Sequence, residues 1–573
     1  MLSRHFLVLV FVLTSAACGG GDSPTDPVQE PDPSLPASLT LSGAPASLVV
    51  GDTFQLAASV RNEQGTVIQG AAVTWSSPDG DRLAVVSSGR FRSLAPGPAR
   101  VVASAGGAAD TLTVDADPRV VSSLHAGVSS SLFLTGDRED PRLEVRDQRG
   151  RTMEAAGVTW SVTDPAVLTV TPDGLVEALS PGTAEVRWEA SGGSGPSTAL
   201  EIRVFPGSGP RVPELVVVDS AVVAWMEAFS VPGAQVAVMR EGRLVLSRGY
   251  GIQSVDAPDP VLEESLFRIG SVSKPLTGLA FLRLVDQGIA GLDDRPVEVL
   301  LDHYTPLSGQ TVDPRLPTAT AREILRHQTG YGSREVDQVA WRAVWQHGAT
   351  HIDEVYRHML GRQLDHDPGT YYQYTNKNTK TIARYIEVLT GTDIESFTRE
   401  ALMAPAGVQR MAFGRSGLED RDPMEVRYHD ETGATSALMD ASDHVMMHWD
   451  ASGAWIGTAS DVLRVVRTAL EGTPGTPPLL SPGVQEEVMG RNPAASPSPT
   501  SFMGLHWSVN LSGSAPVWSH TGAARGSWAR LSYDHAGTAH MLVSNRHSGG
   551  QLNFVLDPFL ANVDWPEHDL FDR

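Results

Sequence analysis

Lysine and cysteine are the residue types that this 573-residue sequence almost lacks. Its single cysteine, Cys18, excludes a disulfide within the chain and a metal site built from several cysteines. Only three lysines occur, Lys274, Lys377 and Lys380, and the other 41 of the 44 Lys and Arg residues are arginine. Lysine can lose its proton in a buried site and arginine cannot, so a lysine here raises the question of proton-transfer chemistry.

Blocks of positive charge and long apolar runs are also missing. The net charge is −23, so the phosphate backbones of nucleic acids would be repelled and nucleic-acid binding is not expected. No apolar run is long enough for a transmembrane helix. The composition, 41% hydrophobic and 19% charged, is that of a folded protein, and the length predicts two to four domains.

The N-terminus has the pattern of an export signal. After Arg4 comes an apolar run at 6–13, and the small residues 15–17 then precede Cys18. This resembles a bacterial lipoprotein signal, although Ser15 stands where that family usually has Leu. The resemblance implies that Cys18 is lipidated and that the protein is exported and anchored in the cell envelope, in the outer membrane if the host has one. Plain secretory cleavage is the alternative.

An internal repeat of 85 residues follows the N-terminal segment. The sequence VTW at 73–75 recurs at 158–160, and LAPG at 94–97 recurs as LSPG at 179–182. Both matches have the same offset without a gap, so they mark a true repeat. Short alternating segments separated by Gly, Pro and Asp turns predict an all-β sandwich for each copy.

Both copies resemble bacterial Ig-like domains of group 2, through phrases such as VTWSVTDPAVLTVTPDGLVEALSPGTAEV. The resemblance implies that Trp75 and Trp160 are core residues. It also implies that the sandwiches act as spacers or as adhesive modules, of which we favour spacers. The Gly- and Pro-containing segment 205–213 is expected to be a linker.

The rest of the chain, from residue 214 onward, has the order of an α+β domain. Apolar residues at helical spacing predict a helix over 214–229. Alternating segments predict one hairpin directly after it and a second hairpin, 528–545, near the C-terminus. Helical patterns lie between the two hairpins, which predicts a sheet flanked by helices.

A Ser-x-x-Lys motif occupies the start of a predicted helix. Residues three apart share a helix face, so Ser271 would have Lys274 beside it. A serine hydroxyl needs a base to take its proton, and the helix N-terminus favours negative charge on the serine oxygen. The ordinary alternative is a serine-capped helix with a solvated lysine.

Two further motifs lie downstream. Tyr374-Thr375-Asn376 offers a phenol that can transfer protons and an amide that can orient a substrate carbonyl, or it is a turn. His520-Thr521-Gly522 precedes a strand-like stretch, and the backbone N–H of Ala523 could pair with that of Ser271 as an oxyanion hole. Lys377 and Lys380 are expected to be solvated helix residues, although Lys377 could act on Tyr374.

Together these motifs resemble the serine β-lactamase and penicillin-binding-protein superfamily, in particular the class C β-lactamase-related hydrolases. The phrases FRIGSVSKPLTGLAFLRLVDQGIAGLDD, DPGTYYQYTN and SHTGAARGSW match its landmarks in order. The resemblance implies an antiparallel sheet flanked by helices with a helical lobe. It implies that Ser271 is the nucleophile, Lys274 its base and Tyr374 a second acid/base. The substrate-binding residues would be Asn376, His520, Thr521, Gly522 and Ala523.

One departure limits the substrate prediction. His520 stands where true β-lactamases and many transpeptidases have a permanently charged lysine, and histidine is mostly neutral at pH 7. This favours small esters and D-amino-acid peptides or amides over β-lactams, unless Arg525 supplies the missing charge. The alternatives are a D-Ala-D-Ala carboxypeptidase and a non-catalytic surface protein that binds through its Ig-like domains.

The sequence therefore predicts a multidomain serine hydrolase that needs no cofactor or metal. Its partner would be a small-molecule or peptide substrate, including substrates derived from the cell wall, and its only membrane contact would be the lipid anchor. The predicted organisation is a signal peptide at 1–17, a lipidated tether at 18–36, Ig-like domains at 37–115 and 119–204, a linker at 205–213 and a hydrolase domain at 214–570.

Overall fold

The structure is a computed structural model. It describes residues 32–572 except 155–156, 173, 192–194, 333–350, 416, 418, 430–445, 447–448, 525 and 548–553. The predicted signal, Cys18 and Arg525 lie outside the described residues. The chain divides into two compact units, one formed by 1–122 with 146–152 and the other by 123–145 with 153–573. None of the described helices is both long and apolar enough to cross a bilayer.

The first unit contains the first copy of the repeat and is built from strands. They pair as a two-stranded sheet β1-β4, a four-stranded sheet β2-β9-β8-β5 and a three-stranded sheet β3-β7-β6. Alternate residues of the long strand β8 point into the core, where Phe91 and Val101 are fully buried. The strands are β1 Ser38–Ser42, β2 Leu48–Val49, β3 Thr53–Gln55, β4 Ala57–Arg61, β5 Thr74–Ser76, β6 Leu83–Ser87, β7 Arg90–Ser93, β8 Gly97–Ala105 and β9 Ala108–Asp117.

The second copy of the repeat has the same strand order. Its four-stranded sheet is β11-β18-β17-β14, and a three-stranded sheet β12-β16-β15 accompanies it. In both copies the first strand of the four-stranded sheet pairs in parallel with the last long strand, so the repeat is structural as well as sequential. The strands are β10 Val121–His125, β11 Leu132–Leu134, β12 Arg138–Glu139, β13 Glu144–Asp147, β14 Val158–Val162, β15 Leu168–Val170, β16 Val176–Ala178, β17 Gly182–Ala190 and β18 Ser197–Phe205.

The two repeated tryptophans differ in burial. Trp75 packs against the first core and meets the Phe91 ring edge-on, with 5.8 Å between the ring centroids. Trp160 is 47% exposed, so the expectation that it is a core residue is wrong. It lies on the edge strand β14, whereas its cross-strand partner Trp188 lies on the inner strand β17 and is buried.

The C-terminal part is built on an eight-stranded antiparallel sheet in the order β19-β21-β20-β29-β28-β27-β26-β25. The two predicted hairpins are confirmed as β20–β21 and β28–β29. The remaining small sheet has the order β22-β24-β23. The strands are β19 Gly207–Ser208, β20 Gly233–Arg240, β21 Arg243–Gly251, β22 Phe267–Arg268, β23 Ala412–Phe413, β24 Trp455–Gly457, β25 Ser501–Met503, β26 Ser508–Asn510, β27 Val517–Ala524, β28 Ser527–Asp534 and β29 Thr538–Ser544.

Helices cover both faces of this sheet, as the sequence predicts. On β20, Val236 and Val238 face the core that contains α1, whereas Ala237 and Met239 face the core that contains α2 and α8. The described α-helices are α1 Val216–Ala228, α2 Ser273–Asp286, α3 Pro296–Leu300, α4 Ala321–Leu325, α5 Ile352–Leu360, α6 Asn376–Thr390, α7 Ile394–Thr398, α8 Ala459–Leu470, α9 Pro482–Val488 and α10 Asp557–Leu560. Both faces of the sheet are thus buried, which explains why every residue of β20 but the last is buried.

The segment predicted as a linker is part of the main sheet. Within 205–213, strand β19 pairs with β21, and the Arg211 side chain is only 3% exposed. Its guanidinium forms ion pairs with Asp137 and Glu139 of the second repeat. Arg248 on β21 also pairs with Asp137. The second repeat and the C-terminal part therefore share a buried network of charges within one compact unit.

Candidate active site

Ser271 lies in a tight turn at the start of α2. The turn is a 3₁₀ helix, Gly270–Val272, and Ser273 donates a 2.7 Å hydrogen bond from Oγ to the carbonyl of Gly270. Gly270 has a φ of +52°, and a Cβ placed there would lie 2.8 Å from the backbone nitrogen of Ala523. Only glycine meets both conditions, so the turn can approach β27 closely.

Lys274 is directly hydrogen-bonded to Ser271. Its Nζ donates to Ser271 Oγ at 3.0 Å and to the carbonyl oxygen of Ser452 at 2.7 Å. The lysine side chain is completely buried, whereas Ser271 is partly exposed. Proton removal from Ser271 requires a buried amine that is hydrogen-bonded to its partly exposed hydroxyl, which is the arrangement found here.

Tyr374 and Asn376 lie at the start of α6, beside this pair. Lys274 Nζ is 5.0 Å from the centre of the Tyr374 ring. Thr375 begins the helix, because its hydroxyl accepts a hydrogen bond from the backbone N–H of Lys377. Asn376 occupies the first helical position, and both it and Tyr374 are partly exposed. The second motif therefore sits at a helix start.

The third motif lies within β27, an inner strand of the main sheet, rather than in a turn before a strand. A Cβ on Gly522 would lie 1.9 Å from the carbonyl oxygen of Ile269 and 3.1 Å from the backbone nitrogen of Ser271. Glycine is thus required for β27 to pass the nucleophile turn. The backbone of Ala523 comes equally close to that turn, while the Thr521 side chain is exposed. All the predicted site residues of the three motifs are therefore brought to one place.

Three histidine rings lie close to Tyr374: those of His327 and His520 contact its ring, and that of His506 packs against His327. The centroid of the His327 ring is 4.6 Å from that of Tyr374 and 4.9 Å from that of His506, and the Tyr374 and His520 rings are 6.1 Å apart. His327 and His506 both have left-handed backbones, with φ of +58° and +62°. Such strain is concentrated at functional sites. Sequence reasoning missed His327 and His506, because they come from segments far apart in the chain.

These rings are neutral over the physiological range. Burial, with a smaller contribution from the nearby Lys274, lowers the pKa of His520 to about 3. Burial also lowers the pKa of His327 and of His506 well below the usual 6.5. The side of the site where the superfamily has a charged lysine therefore presents an uncharged imidazole.

Acid should destabilise the fold through these rings. Below about pH 6.5 an unfolded chain binds a proton on each histidine, whereas the folded rings stay neutral until the pH approaches their lowered pKa values. The free energy of unfolding therefore falls as the pH drops from about 6.5 toward 3, by up to about 1.4 kcal/mol per pH unit for each ring. We expect His506→Asn to make this slope shallower by about that amount, measured by urea unfolding across the range.

Asparagine suits this test because it tolerates the left-handed backbone of residue 506. The exposed His125 provides the control, and His125→Asn should leave the slope unchanged. An identical slope in His506→Asn and the wild type would contradict the prediction.

Comparison with known proteins identifies the family. A family model described as Beta-lactamase matches residues 218–564, which is more than half of the chain. The chain belongs to the beta-lactamase family.

Its relatives are distant. Protein flp of Staphylococcus aureus (strain MW2) is 22% identical over 246 residues, covering 43% of this chain and 47% of flp. Esterase EstB of Burkholderia gladioli is 28% identical over 266 residues, covering 42% of this chain and 66% of EstB. The chain thus spans about half the length of flp and just under two thirds of EstB. Among solved structures, the octameric penicillin-binding protein homologue from Pyrococcus abyssi has a TM-score of 0.49 at 18% identity, covering 60% of this chain and 77% of that one.

All three lysines of this beta-lactamase-family protein are buried. Lys380 is completely buried and Lys377 is 3% exposed, so the expectation that they are solvated is wrong. Lys380 donates a 3.0 Å hydrogen bond from Nζ to Ser452 Oγ, and Lys377 Nζ lies 4.6 Å from the centre of the Tyr331 ring. The sequence pattern of α6 did not reveal this, because the face that packs on α2 is itself polar.

Proposed function

We propose that this serine hydrolase cleaves uncharged esters and amides through an acyl-enzyme on Ser271, with Lys274 as base and Tyr374 as a second acid/base. The observation that carries the proposal is the 3.0 Å hydrogen bond between Lys274 Nζ and Ser271 Oγ, formed by a buried amine at the start of a helix. An esterase among the similar proteins supports the substrate class.

The chemistry follows from the positions of these atoms. Ser271 Oγ attacks the substrate carbonyl carbon while its proton passes to Lys274 Nζ, which becomes an ammonium group. The developing oxyanion would be stabilised by the backbone N–H groups of Ser271 and Ala523. The bond to the leaving group then breaks, and the proton returns to the leaving group by way of Tyr374. Water attacks the acyl-enzyme in the same manner and releases Ser271.

The neutral His520 determines which substrates fit. A substrate carboxylate directed at His520 would lose its water without gaining a cation from that ring, which is costly. β-Lactams and peptides with a free C-terminus carry such a carboxylate, whereas simple esters, peptide esters and amides do not. We therefore infer a preference for substrates whose leaving group is uncharged, including D-amino-acid amides.

A matched pair of esters tests this proposal. We expect phenyl butyrate to be hydrolysed with a kcat/KM at least about tenfold higher than that of 3-carboxyphenyl butyrate, since an unpaired carboxylate costs more than about 1.4 kcal/mol. Residues 19–573 are assayed at pH 7, with Ser271→Ala as the inactive control.

The second ester differs from the first only by a carboxylate on the leaving group. His520→Lys introduces the missing cation and should lower the ratio of kcat/KM for phenyl butyrate to kcat/KM for 3-carboxyphenyl butyrate. Activity that survives in Ser271→Ala would overturn the acyl-enzyme, and a preference for the carboxylate ester would instead favour the D-Ala-D-Ala carboxypeptidase reading.

The proposal extends to where the enzyme works. We infer that it is exported and held by a lipid on Cys18, because the only cysteine of the chain follows the small residues 15–17. We further propose that the two repeats are Ig-like spacers between that anchor and the hydrolase. Their β-strands and common strand order support this reading.

A further inference from the structure

Lys380 and Ser452 have no part in the reaction described above, yet Ser452 binds its base and Lys380 binds Ser452. The turn Asp450–Ser452 is a 3₁₀ helix that lies between α2 and α6. Two residues of α2 bind the turn: Lys274 donates to the Ser452 carbonyl, and Thr277 donates from Oγ1 to the Ala451 carbonyl at 2.9 Å.

Two residues of α6 hold the same turn from the other side. Lys380 donates to Ser452 Oγ at 3.0 Å, and Arg384 forms an ion pair with Asp450. The Ser452 hydroxyl donates its own proton to the carbonyl of Trp449, so its oxygen is directed to accept from Lys380. Asp450 has a φ of +45°, a strained conformation for a residue other than glycine. The turn is thus clamped in one position by both helices.

These contacts place two buried amines on the same residue. Lys274 and Lys380 bind two oxygen atoms of one residue, Ser452, and neither side chain has any exposed surface. Like charges bound to the same buried residue repel each other where water does not screen them. A proton on Lys380 therefore disfavours a second proton on Lys274.

The charged groups on the surrounding elements have roles of their own. Asp450, Glu387 and Asp353 surround Arg384, and burial raises the pKa of Glu387 to about 7. On α6 itself, Lys377 lies over Tyr331 and Tyr385 donates to Asp294. On the elements packed against α6, Glu323 caps α4, Glu395 accepts a hydrogen bond from the N–H of Phe413, and Glu298 of α3 pairs with Arg295. His327 and His520 contact the Tyr374 ring, and His506 contacts His327.

We propose that Lys380 is a positioning residue for the reaction: it fixes Ser452, whose carbonyl holds Lys274, and its charge keeps Lys274 in the neutral form that can accept a proton. This inference rests on the proposed function, in which Lys274 is the base. It explains why a chain that uses arginine for almost every other positive charge keeps a second lysine here: the compact ammonium of lysine can donate to Ser452 Oγ within a buried site.

The pH profile of ester hydrolysis tests the proposal. In Lys380→Met, Lys274 should keep its proton to higher pH, so the acidic limb of kcat/KM should move up by at least about one pH unit. Activity at pH 7 should fall about tenfold and approach that of the wild type at high pH. Lys380→Arg retains the charge and should leave the limb near its wild-type position.

Lys377→Met is the matched control, because it removes a buried ammonium from the same helix that contacts Tyr331 rather than Ser452. The acidic limb of the kcat/KM profile should keep its wild-type position in this variant. It should also do so in Glu387→Gln, which removes the carboxyl group whose pKa is raised to about 7. An unmoved limb in a folded Lys380→Met would overturn the inference. If Ser271→Ala is inactive in that experiment, only the inference fails, whereas an active Ser271→Ala overturns the proposed function itself.

The scarcity of lysine allows a second test on the unaltered protein. Labelling with lysine that carries ¹³C at Cε should give three NMR signals, which Lys→Arg variants assign. One signal, that of Lys274, should titrate at least about two pH units below that of Lys380. Titration of both signals together above about pH 10 would overturn the proposal, even if Lys380→Met did not fold.

Discussion

Lys274→Arg is expected to lose nearly as much ester hydrolysis as Ser271→Ala, at least about a thousandfold in kcat/KM. The hydrogen bond between Lys274 Nζ and Ser271 Oγ could be formed by a guanidinium as well as by an amine. What arginine cannot do is accept the proton of Ser271, because its guanidinium remains charged at any pH the protein survives. The substitution therefore separates the basicity of the residue from its ability to form this hydrogen bond.

Steady-state hydrolysis of p-nitrophenyl butyrate measures this effect. The fold of the variant is checked by circular dichroism and by its thermal unfolding midpoint, since residue 274 is fully buried and arginine is the larger side chain. Lys274→Met provides the comparison, because it removes both the hydrogen bond and the basicity and should be equally inactive. More than about a tenth of the wild-type activity in a folded Lys274→Arg would exclude Lys274 as the base.

The parts of the site that could be predicted from the sequence are those fixed by local geometry. Ser271 and Lys274 are three residues apart on a helix, and their contact follows from helical spacing alone. The hairpins β20–β21 and β28–β29 follow from alternation of apolar residues. Gly522 could be identified from its motif, although the close approach that requires glycine was visible only in the structure.

The parts that could not be predicted depend on contacts between distant segments. Ser452 is 178 residues from Lys274, and no short motif marks it. His506 contacts His327, which lies beside Tyr374, from a loop before β26. The burial of Lys380 was predicted incorrectly because a polar helix face usually faces solvent, and here it packs on the polar turn Asp450–Ser452. Trp160 was misassigned because its sequence match to Trp75, which lies on the equivalent edge strand and packs against its core, does not determine its burial.

Removal of a buried ion pair between the second repeat and the C-terminal part should strongly lower the free energy of unfolding. Arg248 is completely buried and pairs with Asp137 of the repeat and with Asp219 of α1, which also accepts a 2.7 Å hydrogen bond from the Tyr250 hydroxyl. Arg248→Met leaves two buried carboxylates without their shared cation. We expect the free energy of unfolding to fall by about 3–5 kcal/mol, the usual cost of breaking a buried ion pair from one side.

A second contact between the same two parts supplies the control. Arg203 on β18 pairs with Glu227 on α1, and both side chains are about half exposed. Exposed pairs contribute little, so Arg203→Met should cost less than about 1 kcal/mol in the same urea titration. The two variants remove one arginine each from one interface and differ mainly in burial.

The difference between Arg248→Met and Arg203→Met shows whether the second repeat stabilises the C-terminal part. A loss of several kcal/mol in Arg248→Met, in a single unfolding transition, means that the second repeat and the hydrolase part fold together and that the repeat supports β21 from outside the sheet. Equal and small losses in Arg248→Met and Arg203→Met would mean that the repeat contributes nothing to the stability of the enzyme. Leu134 of the repeat lies in the same apolar core as α1, which favours the first result. A repeat built in this way shields one edge of the catalytic sheet, because β19 directly follows its last strand and pairs with β21.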